Sequence, residues 1–283
     1  ELMKQLSQAY LKIRNTARYM LGNLDGFDPD RAVTVKDMLD LDRWAAAAFN
    51  NLVRDVRAGY DAYEFHAVYR AIYNFCVVEM SNFYLDIIKD RLYCGDDAGR
   101  ASAQSALFLI LDGMTRMIAP ILAFTSQEIW AAMPHRASDD GECVLFNDIP
   151  DYDPALALDE KDASRWTVLI ELRDAVNKAL EDAREQGIKK NQDAEITVKM
   201  DENTFSSWQD GLILPGFDEA DLATLFIVSK VTMEAESGAS WPAVAVKLSE
   251  APKCPRCWNH DASIGTDGHH DELCDRCAKV LGE

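Results

Sequence analysis

Four cysteines in two pairs constrain the end of this chain more than any other feature. The first pair is Cys254 and Cys257, and the second pair, Cys274 and Cys277, follows after sixteen residues. Two such turns bring four thiolates to one ion, and this spacing favours a closed, structural Zn²⁺ site. The segment is too short to bury a core of its own, so the metal would supply its folding energy. We therefore predict one structural zinc ion held by these four residues.

A redox dithiol and a histidine ligand are the two other interpretations of this segment. A redox dithiol needs one Cys-x-x-Cys motif that opens a helix between strands, whereas this chain has two such motifs. His260, His269 and His270 lie in or beside the intervening loop. A histidine could replace a thiolate, but four cysteines are available, so we expect solvent-exposed loop histidines. A closed four-thiolate site has no open position for water, so we predict no catalysis at the metal.

The first half of the chain has the periodicity of long amphipathic helices. Through the first 24 residues, apolar side chains recur every three or four positions, at Leu2, Leu6, Ala9, Ile13, Ala17, Met20 and Leu24. Further helices are predicted at about residues 35–58, 62–92 and 101–132, and Pro120 should kink or divide the last one. Four helices with short or moderate connections predict an antiparallel bundle.

The pattern changes in the second half. A helix is predicted at about residues 160–185, and residues 194–200 then alternate between apolar and polar as a half-buried strand does. Residues 225–228 and 243–246 are predicted as further strands. The fold class is therefore mainly α, with a helical bundle at residues 1–158, a small α+β junction domain at 159–251 and a four-cysteine zinc-binding module at 252–283.

The charge of the chain is strongly acidic, but it is unevenly distributed. The 48 acidic and 29 basic residues give a net charge of −19, which argues against a nucleic-acid binder because phosphate contacts need Lys and Arg. Residues 1–22 are the exception, with four basic side chains and one acidic. On a helix, one exposed face collects Lys4, Leu11, Arg14, Asn15 and Arg18. This spacing leaves open whether the face binds nucleic acid or is an ordinary solvated surface.

The remaining bulk features concern location. No apolar stretch reaches the length of a transmembrane helix, and the chain opens without a signal-peptide pattern. The scattered Cys76, Cys94 and Cys143 fit a reducing compartment. We therefore expect a cytoplasmic protein with no membrane partner. A start at Glu1 directly on a helical pattern suggests a piece of a longer protein.

Several segments carry residue patterns that are more specific than periodicity. They lie at residues 12–29, 42–44, 63–69, 81–86 and 122–130. Together they resemble the anticodon-binding domain of the class I isoleucyl-tRNA synthetases. The ending Cys-Pro-Arg-Cys-Trp, with the later Cys-Asp-Arg-Cys, is similar to the terminal zinc module of that family.

The resemblance implies that separate domains of the whole enzyme carry separate activities. In the whole enzyme, a catalytic domain activates isoleucine with ATP and an inserted domain edits errors. The His-Ile-Gly-His and Lys-Met-Ser-Lys-Ser motifs of the catalytic domain do not occur in this sequence. We therefore expect no catalytic residue here, and ATP would belong only to the missing part. The chain would bind the anticodon stem-loop of isoleucine tRNA, without an obligate protein partner and as a monomer.

The resemblance also implies roles for single residues. Arg14, Asn15 and Arg18 would touch the anticodon. Trp258 would be a stacking platform, with packing over the zinc as the alternative, and Arg256 would contact phosphate or base.

One loop departs from the family pattern. A Gly-x-Ser-Leu-x-Ala stretch is expected before the first strand, but the chain has Lys-Asn-Gln-Asp-Ala at residues 190–194, which puts any role of this loop in doubt. Lys189 and Lys190 are predicted as exposed lysines rather than as contacts with the tRNA backbone. A different class of function also stays open, because the acidic total favours a non-catalytic protein-interaction scaffold with a zinc ribbon.

Overall fold

The structure is a computed structural model that describes residues 2–266 and 270–282, without the side chains of Leu2, Gln5 and Gln186. The chain divides into two units, Glu1–Leu158 and Asp159–Glu283. Helices dominate, and the described part has one small sheet. The predicted mainly α class is therefore confirmed. The further division of the second unit at residue 251 stays a prediction.

The first unit is a bundle of helices. They are α1 (Leu2–Gly22), α2 (Asp40–Asp61), α3 (Phe65–Phe75), α4 (Leu85–Ile87), α5 (Lys89–Cys94), α6 (Asp97–Ile118) and α7 (Ala123–Ala132). A π-helical segment, Cys76–Tyr84, joins α3 to α4. Short 3₁₀ turns lie at Pro29–Arg31, Val144–Phe146 and Pro154–Leu156.

The α6 helix is the centre of this bundle. From Ser102 to Ile118, every residue except Leu109 and Arg116 is buried. A helix buried on all sides must be surrounded by other elements, and α1, α2, α3, α5 and α7 all contact it. Gly113 allows the closest approach, because a Cβ atom there would lie 2.4 Å from the ring of Phe49 on α2.

The apolar stripe of α1 is buried only from Ile13 onward. Ile13, Ala17 and Met20 are at most 1% exposed, whereas Leu6 is 47% exposed. Leu6 belongs to the apolar stripe predicted from the sequence, but it lies outside the core. Periodicity identifies the residues that share a helix face, but it does not show how far the neighbouring elements extend along that face.

The predicted helix at residues 62–92 is present with interruptions. Its middle is the π-helical segment, in which Ser81 Oγ donates a hydrogen bond to the carbonyl of Cys76 at 2.7 Å. The proline prediction for residues 101–132 is confirmed, because α6 ends at Ile118 and α7 begins at Ala123, on either side of Pro120.

The second unit combines helices with a three-stranded sheet. Its elements are α8 (Glu160–Ala183), β1 (Ala194–Met200), α9 (Glu202–Gln209), α10 (Glu219–Phe226), β2 (Lys230–Ala235), β3 (Ala243–Leu248) and α11 (Asp275–Leu281), with 3₁₀ turns at Arg184–Gln186 and Asn191–Asp193. The strand order is β2-β1-β3, with β2 parallel and β3 antiparallel to β1. The alternation predicted for residues 194–200 is confirmed, because every second residue of β1 is buried.

The strand predicted at residues 225–228 is wrong. Leu225 and Phe226 end α10, and Ile227 caps that helix in the left-handed conformation. The helix begins with a capping box, in which the side chains of Asp218 and Asp221 each bond the other's backbone N–H group. A run of four apolar residues does not distinguish a strand from the end of a buried helix.

Across residues 2–266 and 270–282, none of the helices combines the length and the apolar character that crossing a membrane requires.

Candidate metal centre and nucleic-acid interface

The four paired cysteines meet at one point of the second unit. Their sulfur atoms all lie within 4.8 Å of one another, and all four residues are buried. The Sγ atoms of Cys257 and Cys274 are 3.8 Å apart. Zinc–sulfur bonds of about 2.3 Å in a tetrahedron place sulfurs about 3.8 Å apart. The cluster therefore has the dimensions of a tetrahedral thiolate site.

The backbone around these cysteines suits charged sulfur. Burial opposes the thiolate of Cys254, but backbone N–H groups of Cys257, Cys274 and Arg256 donate to it and lower its pKa to about 7. Burial raises the pKa of Cys274 to about 11, although the backbone N–H of Cys277 donates to its sulfur and lowers this pKa. Four crowded, buried thiols with N–H donors aimed at sulfur fit a bound cation, because the cation compensates the mutual repulsion of thiolates.

Local structure explains how the two pairs are presented. A bridge between Lys253 and His260 closes the turn that carries the first pair. Cys274 caps the N-terminus of α11, and Cys277 lies in the first turn of that helix. Both pairs therefore sit on tight backbone turns that point sulfur inward.

Neither of the two described loop histidines, His260 and His270, belongs to the cysteine cluster. His260 was expected to be exposed, but its side chain is only 16% exposed, so that prediction is wrong. Its Nδ1–H group donates to the carbonyl of Ala251 at 2.6 Å, and its backbone N–H donates to Ser229 Oγ at 2.7 Å. His270 is half-buried, and His269 lies outside the described residues. His260 therefore joins the cysteine module to the sheet.

Trp258 lies directly after the first cysteine pair. Its backbone has a φ of +66°, and its N–H donates to the carbonyl of Cys254 at 2.9 Å. The side chain is 54% exposed. The ammonium of Lys190 lies 5.0 Å from the centroid of its ring. Arg256, on the same turn, is half-buried. The turn therefore presents a largely open indole ring, and the ammonium of Lys190 lies beside it.

The basic face of α1 is exposed in the first unit. Arg14, Asn15 and Arg18 all lie on the surface. In the described part of the chain, neither arginine pairs with a carboxylate, whereas other exposed arginines do, such as Arg54 with Asp55 at 2.9 Å. The positive charge of this face is therefore not neutralised locally.

A groove of about 530 Å³ lies beside this face. One wall is α1, which contributes Lys12 and Asn15 among others, and the other wall includes Tyr73, Ser81 and Lys89. The π-helical segment thus lines the groove through Ser81, and such segments are frequent at functional sites. Sequence reasoning missed Tyr73 and Lys89, which belong to another stretch of chain and carried no local signal. The groove combines tyrosine rings, amide and hydroxyl groups and two lysines, of which Lys89 is paired with the lining carboxylate of Asp86 at 2.7 Å.

The predicted RNA contacts thus fall into two groups. Arg14, Asn15 and Arg18 share α1 of the first unit, and Arg256 and Trp258 share one turn of the second unit. Each group is exposed or half-buried, whereas the cysteines are buried.

Comparison with known proteins gives matches to both units. A family model described as the anticodon-binding domain of tRNA ligase matches residues 42–198. Another, described as a zinc finger found in FPG and IleRS, matches residues 252–280 and so includes all four clustered cysteines. The first match begins after α1.

Curated relatives match along the whole chain. A protein named isoleucine–tRNA ligase from Syntrophotalea carbinolica is 43% identical over 293 residues, which covers 99% of this chain and 30% of the relative. Proteins of the same name from Geobacter sulfurreducens and Caldanaerobacter subterraneus are 40% and 37% identical, over 99% and 100% of this chain. The chain spans about 30% of the length of these relatives. The zinc finger match and the geometry of the cysteine cluster together support a structural zinc.

Proposed function

The chain belongs to the family of anticodon-binding domains of tRNA ligases, and from this premise we propose that it is the tRNA-binding part of an isoleucine–tRNA ligase. It binds the anticodon stem-loop of isoleucine tRNA and acts as a monomer. The names of its relatives and their identity along the whole chain support this assignment. Attachment of isoleucine with ATP is the activity of the whole ligase, and we assign it to segments outside this sequence.

The observation that carries the proposal is the unneutralised basic face of α1. Arg14 and Arg18 are exposed without a carboxylate partner among the described residues, in a chain of net charge −19. Carboxylates elsewhere on the surface repel RNA, so phosphates are attracted to the few places where positive charge remains. A face of this kind positions the tRNA backbone.

The groove beside this face gives the first unit a way to bind an unstacked base. Proteins read single-stranded RNA loops by stacking bases on aromatic side chains and bonding their polar edges. Asn15 and Ser81 offer hydrogen-bonding groups and Tyr73 offers a ring within one groove. In this proposal Arg14 and Arg18 bind phosphates or base edges, and Asn15 bonds a base.

The second unit adds a stacking surface. Trp258 stacks on a base of the loop, and Arg256 binds phosphate or a base edge. Cys254, Cys257, Cys274 and Cys277 hold one zinc ion, which fixes the turn that carries these two residues. The exposed fraction of Trp258 favours stacking over the alternative of packing above the metal.

The test compares two RNAs at two salt concentrations. The 283-residue chain is titrated with anticodon stem-loops of isoleucine tRNA and valine tRNA at about 50 and 200 mM salt. The proposal predicts a preference of at least about tenfold for the isoleucine loop, equivalent to roughly 1.4 kcal/mol. It also predicts that affinity falls steeply between the two salt concentrations.

Equal affinity for both loops at each salt concentration would contradict specific anticodon reading. No binding at either concentration would contradict the assignment of tRNA binding to this chain. If the chain then formed a stable complex with a protein partner, that result would favour the scaffold alternative.

A further inference from the structure

Lys190 and Trp258 come from segments that are 68 positions apart, and the fold brings them together. Lys190 precedes the short 3₁₀ turn Asn191–Asp193 that leads into β1, and Trp258 lies on the turn of the first cysteine pair. The ammonium of Lys190 lies 5.0 Å from the centroid of the indole ring. This is a cation–π contact at an exposed site. The loop at residues 189–193, called the lysine loop below, and the zinc module therefore share one surface.

Hydrogen bonds fix the position of the lysine loop relative to the turn that carries the first cysteine pair. Asp193 Oδ1 accepts a bond from the Lys253 ammonium and lies 3.3 Å from Nε2 of His260. His260 and Lys253 flank the first cysteine pair, and Asp193 ends the lysine loop. Ser229 adds a third link, because its Oγ accepts from the His260 N–H and donates to the carbonyl of Gln192. The position of Lys190 relative to Trp258 is therefore set by several bonds.

The charges in this region leave Lys190 available to an anion. The nearest carboxylate along its own loop, Asp193, is already engaged by Lys253 and His260. The hydrogen bond from Lys253 also holds the pKa of Asp193 below its usual range. Among the residues that the structure describes, Lys190 forms no ion pair, and its side chain is exposed. Its positive charge faces the indole ring.

We propose that Lys190 and Trp258 form one site for an unpaired nucleotide, in which the base stacks on the indole ring and the Lys190 ammonium binds the adjoining backbone phosphate. This proposal rests on the proposed function, because the nucleotide belongs to the bound stem-loop. The ring is 54% exposed with the lysine beside it, so area remains for stacking. Ammonium binding to phosphate is a point-charge contact that a flexible lysine makes easily.

The chemistry of the two groups makes them cooperate. A cation over an exposed ring is held weakly compared with a base stacked on that ring. When a base stacks on Trp258, the ammonium moves from the ring to the phosphate that arrives with the base. Lys190 is therefore a binding residue, although the loop that carries it departs from the pattern expected for the family.

The test uses the full 283-residue chain and the isoleucine anticodon stem-loop. Dissociation constants are measured at about 50 and 200 mM salt for the wild type and for Lys190→Ala, Lys190→Arg, Lys189→Ala and Trp258→Ala. Lys189 is the matched control, because it is an exposed lysine of the same loop. Zinc content and circular dichroism confirm that each variant is folded.

Lys190→Ala is expected to bind roughly five- to tenfold more weakly at the lower salt concentration. The slope of log affinity against log salt should fall by about 0.7, the value for one phosphate contact on a single strand. Lys190→Arg should stay near the wild type, and Lys189→Ala should change affinity by less than about twofold. In the double variant Lys190→Ala/Trp258→Ala, the fold loss of affinity should be smaller than the product of the two single fold losses, because the two residues hold one nucleotide.

Three results would overturn this inference. Unchanged affinity of Lys190→Ala would show that the lysine does not contact RNA, and tighter binding would show that it only covers the ring. An equal loss of affinity in Lys189→Ala would show that the total positive charge of the loop causes the effect, and not a specific contact of Lys190. If the wild type binds the stem-loop and Trp258→Ala weakens that binding, each of these results contradicts only the shared site of Lys190 and Trp258. The proposed function then stands. If the wild type does not bind the stem-loop, the proposed function fails as well.

Discussion

Asp139 is a nearly buried carboxylate held by two arginines of the first unit. Its side chain is 8% exposed. It accepts a hydrogen bond from Arg116 at 3.0 Å and another from the backbone N–H of Arg136 at 2.9 Å. Burial alone would raise its pKa, but these bonds and the nearby positive charges outweigh burial, so its pKa lies below the ordinary 3.8. The charged form is thus the form that the fold stabilises.

This arrangement makes the stability of the first unit depend on pH. Asp139 contributes stability above its unfolded pKa of 3.8, and this contribution is lost as the pH falls through the lower folded pKa. Asp139→Asn should therefore reduce the free energy of unfolding by about 1.5–3 kcal/mol at pH 7, the usual size for hydrogen bonds to a charged group. The difference from the wild type should shrink at pH 3. Urea unfolding, monitored by hydrogen exchange of α6 peptides, measures the difference in free energy of unfolding between variant and wild type at pH 7 and at pH 3.

Asp55→Asn is the control for this prediction. Asp55 pairs with Arg54 at the surface, and its side chain is 57% exposed. Such pairs contribute little, so we expect a change below about 0.5 kcal/mol. A deficit in Asp139→Asn that is equal at pH 7 and pH 3 would show that the charge of Asp139 is not what the fold uses.

Single residues also show what sequence could and could not predict about the site. The spacing of the four cysteines predicted their convergence, because two short turns and a loop leave few other arrangements for the sulfurs. The role of His260 was missed, because its partners Asp193 and Ser229 lie 67 and 31 positions away. The contact of Lys190 with Trp258 was missed for the same reason. The RNA roles of Arg14, Asn15, Arg18, Arg256 and Trp258 stay predictions.

At the scale of elements, periodicity predicted the long helices and the strand β1. It failed where a tertiary or backbone effect decides the outcome. The π-helical segment Cys76–Tyr84 keeps a helical pattern in sequence, so its altered backbone has no periodic signal. Residues 225–228 have the composition of a strand, but the capping box that starts at Asp218 begins a helix that includes Leu225 and Phe226.

The cysteine module is the element whose order depends most on its metal. Its segment is short, and its connection to the sheet runs largely through Lys253 and His260. Removal of zinc with a strong chelator should therefore abolish hydrogen-exchange protection across residues 253–266 and 270–281, while β1 and α8 remain protected. Cys277→Ser should lower zinc content from one ion per chain to well below one.

Cys143→Ser is the matched control, because Cys143 is a half-buried free cysteine outside the cluster. It should keep full zinc content. Retention of one zinc per chain in Cys277→Ser, or unchanged protection of residues 253–266 and 270–281 after chelation, would contradict a structural four-thiolate site.

At the scale of the whole molecule, the central feature is the contrast between total and local charge. A net charge of −19 taken alone argues against RNA binding. In the structure, Arg14 and Arg18 are exposed, and neither pairs with a carboxylate among the described residues. Composition could not reveal this, because the pairing of surface charges depends on which side chains the fold brings together. The same feature makes RNA binding by this chain open to a direct test.

The most direct test is the affinity of Arg14→Ala/Arg18→Ala for the isoleucine anticodon stem-loop. The control is Arg31→Ala/Arg54→Ala, which removes the same charge from two exposed arginines that pair with Asp28 and Asp55. We expect the α1 variant to bind at least about twentyfold more weakly at about 50 mM salt, with a shallower salt dependence. The control should stay within about threefold of the wild type. Equal affinities of the two variants would show that the face of α1 does not bind the anticodon loop.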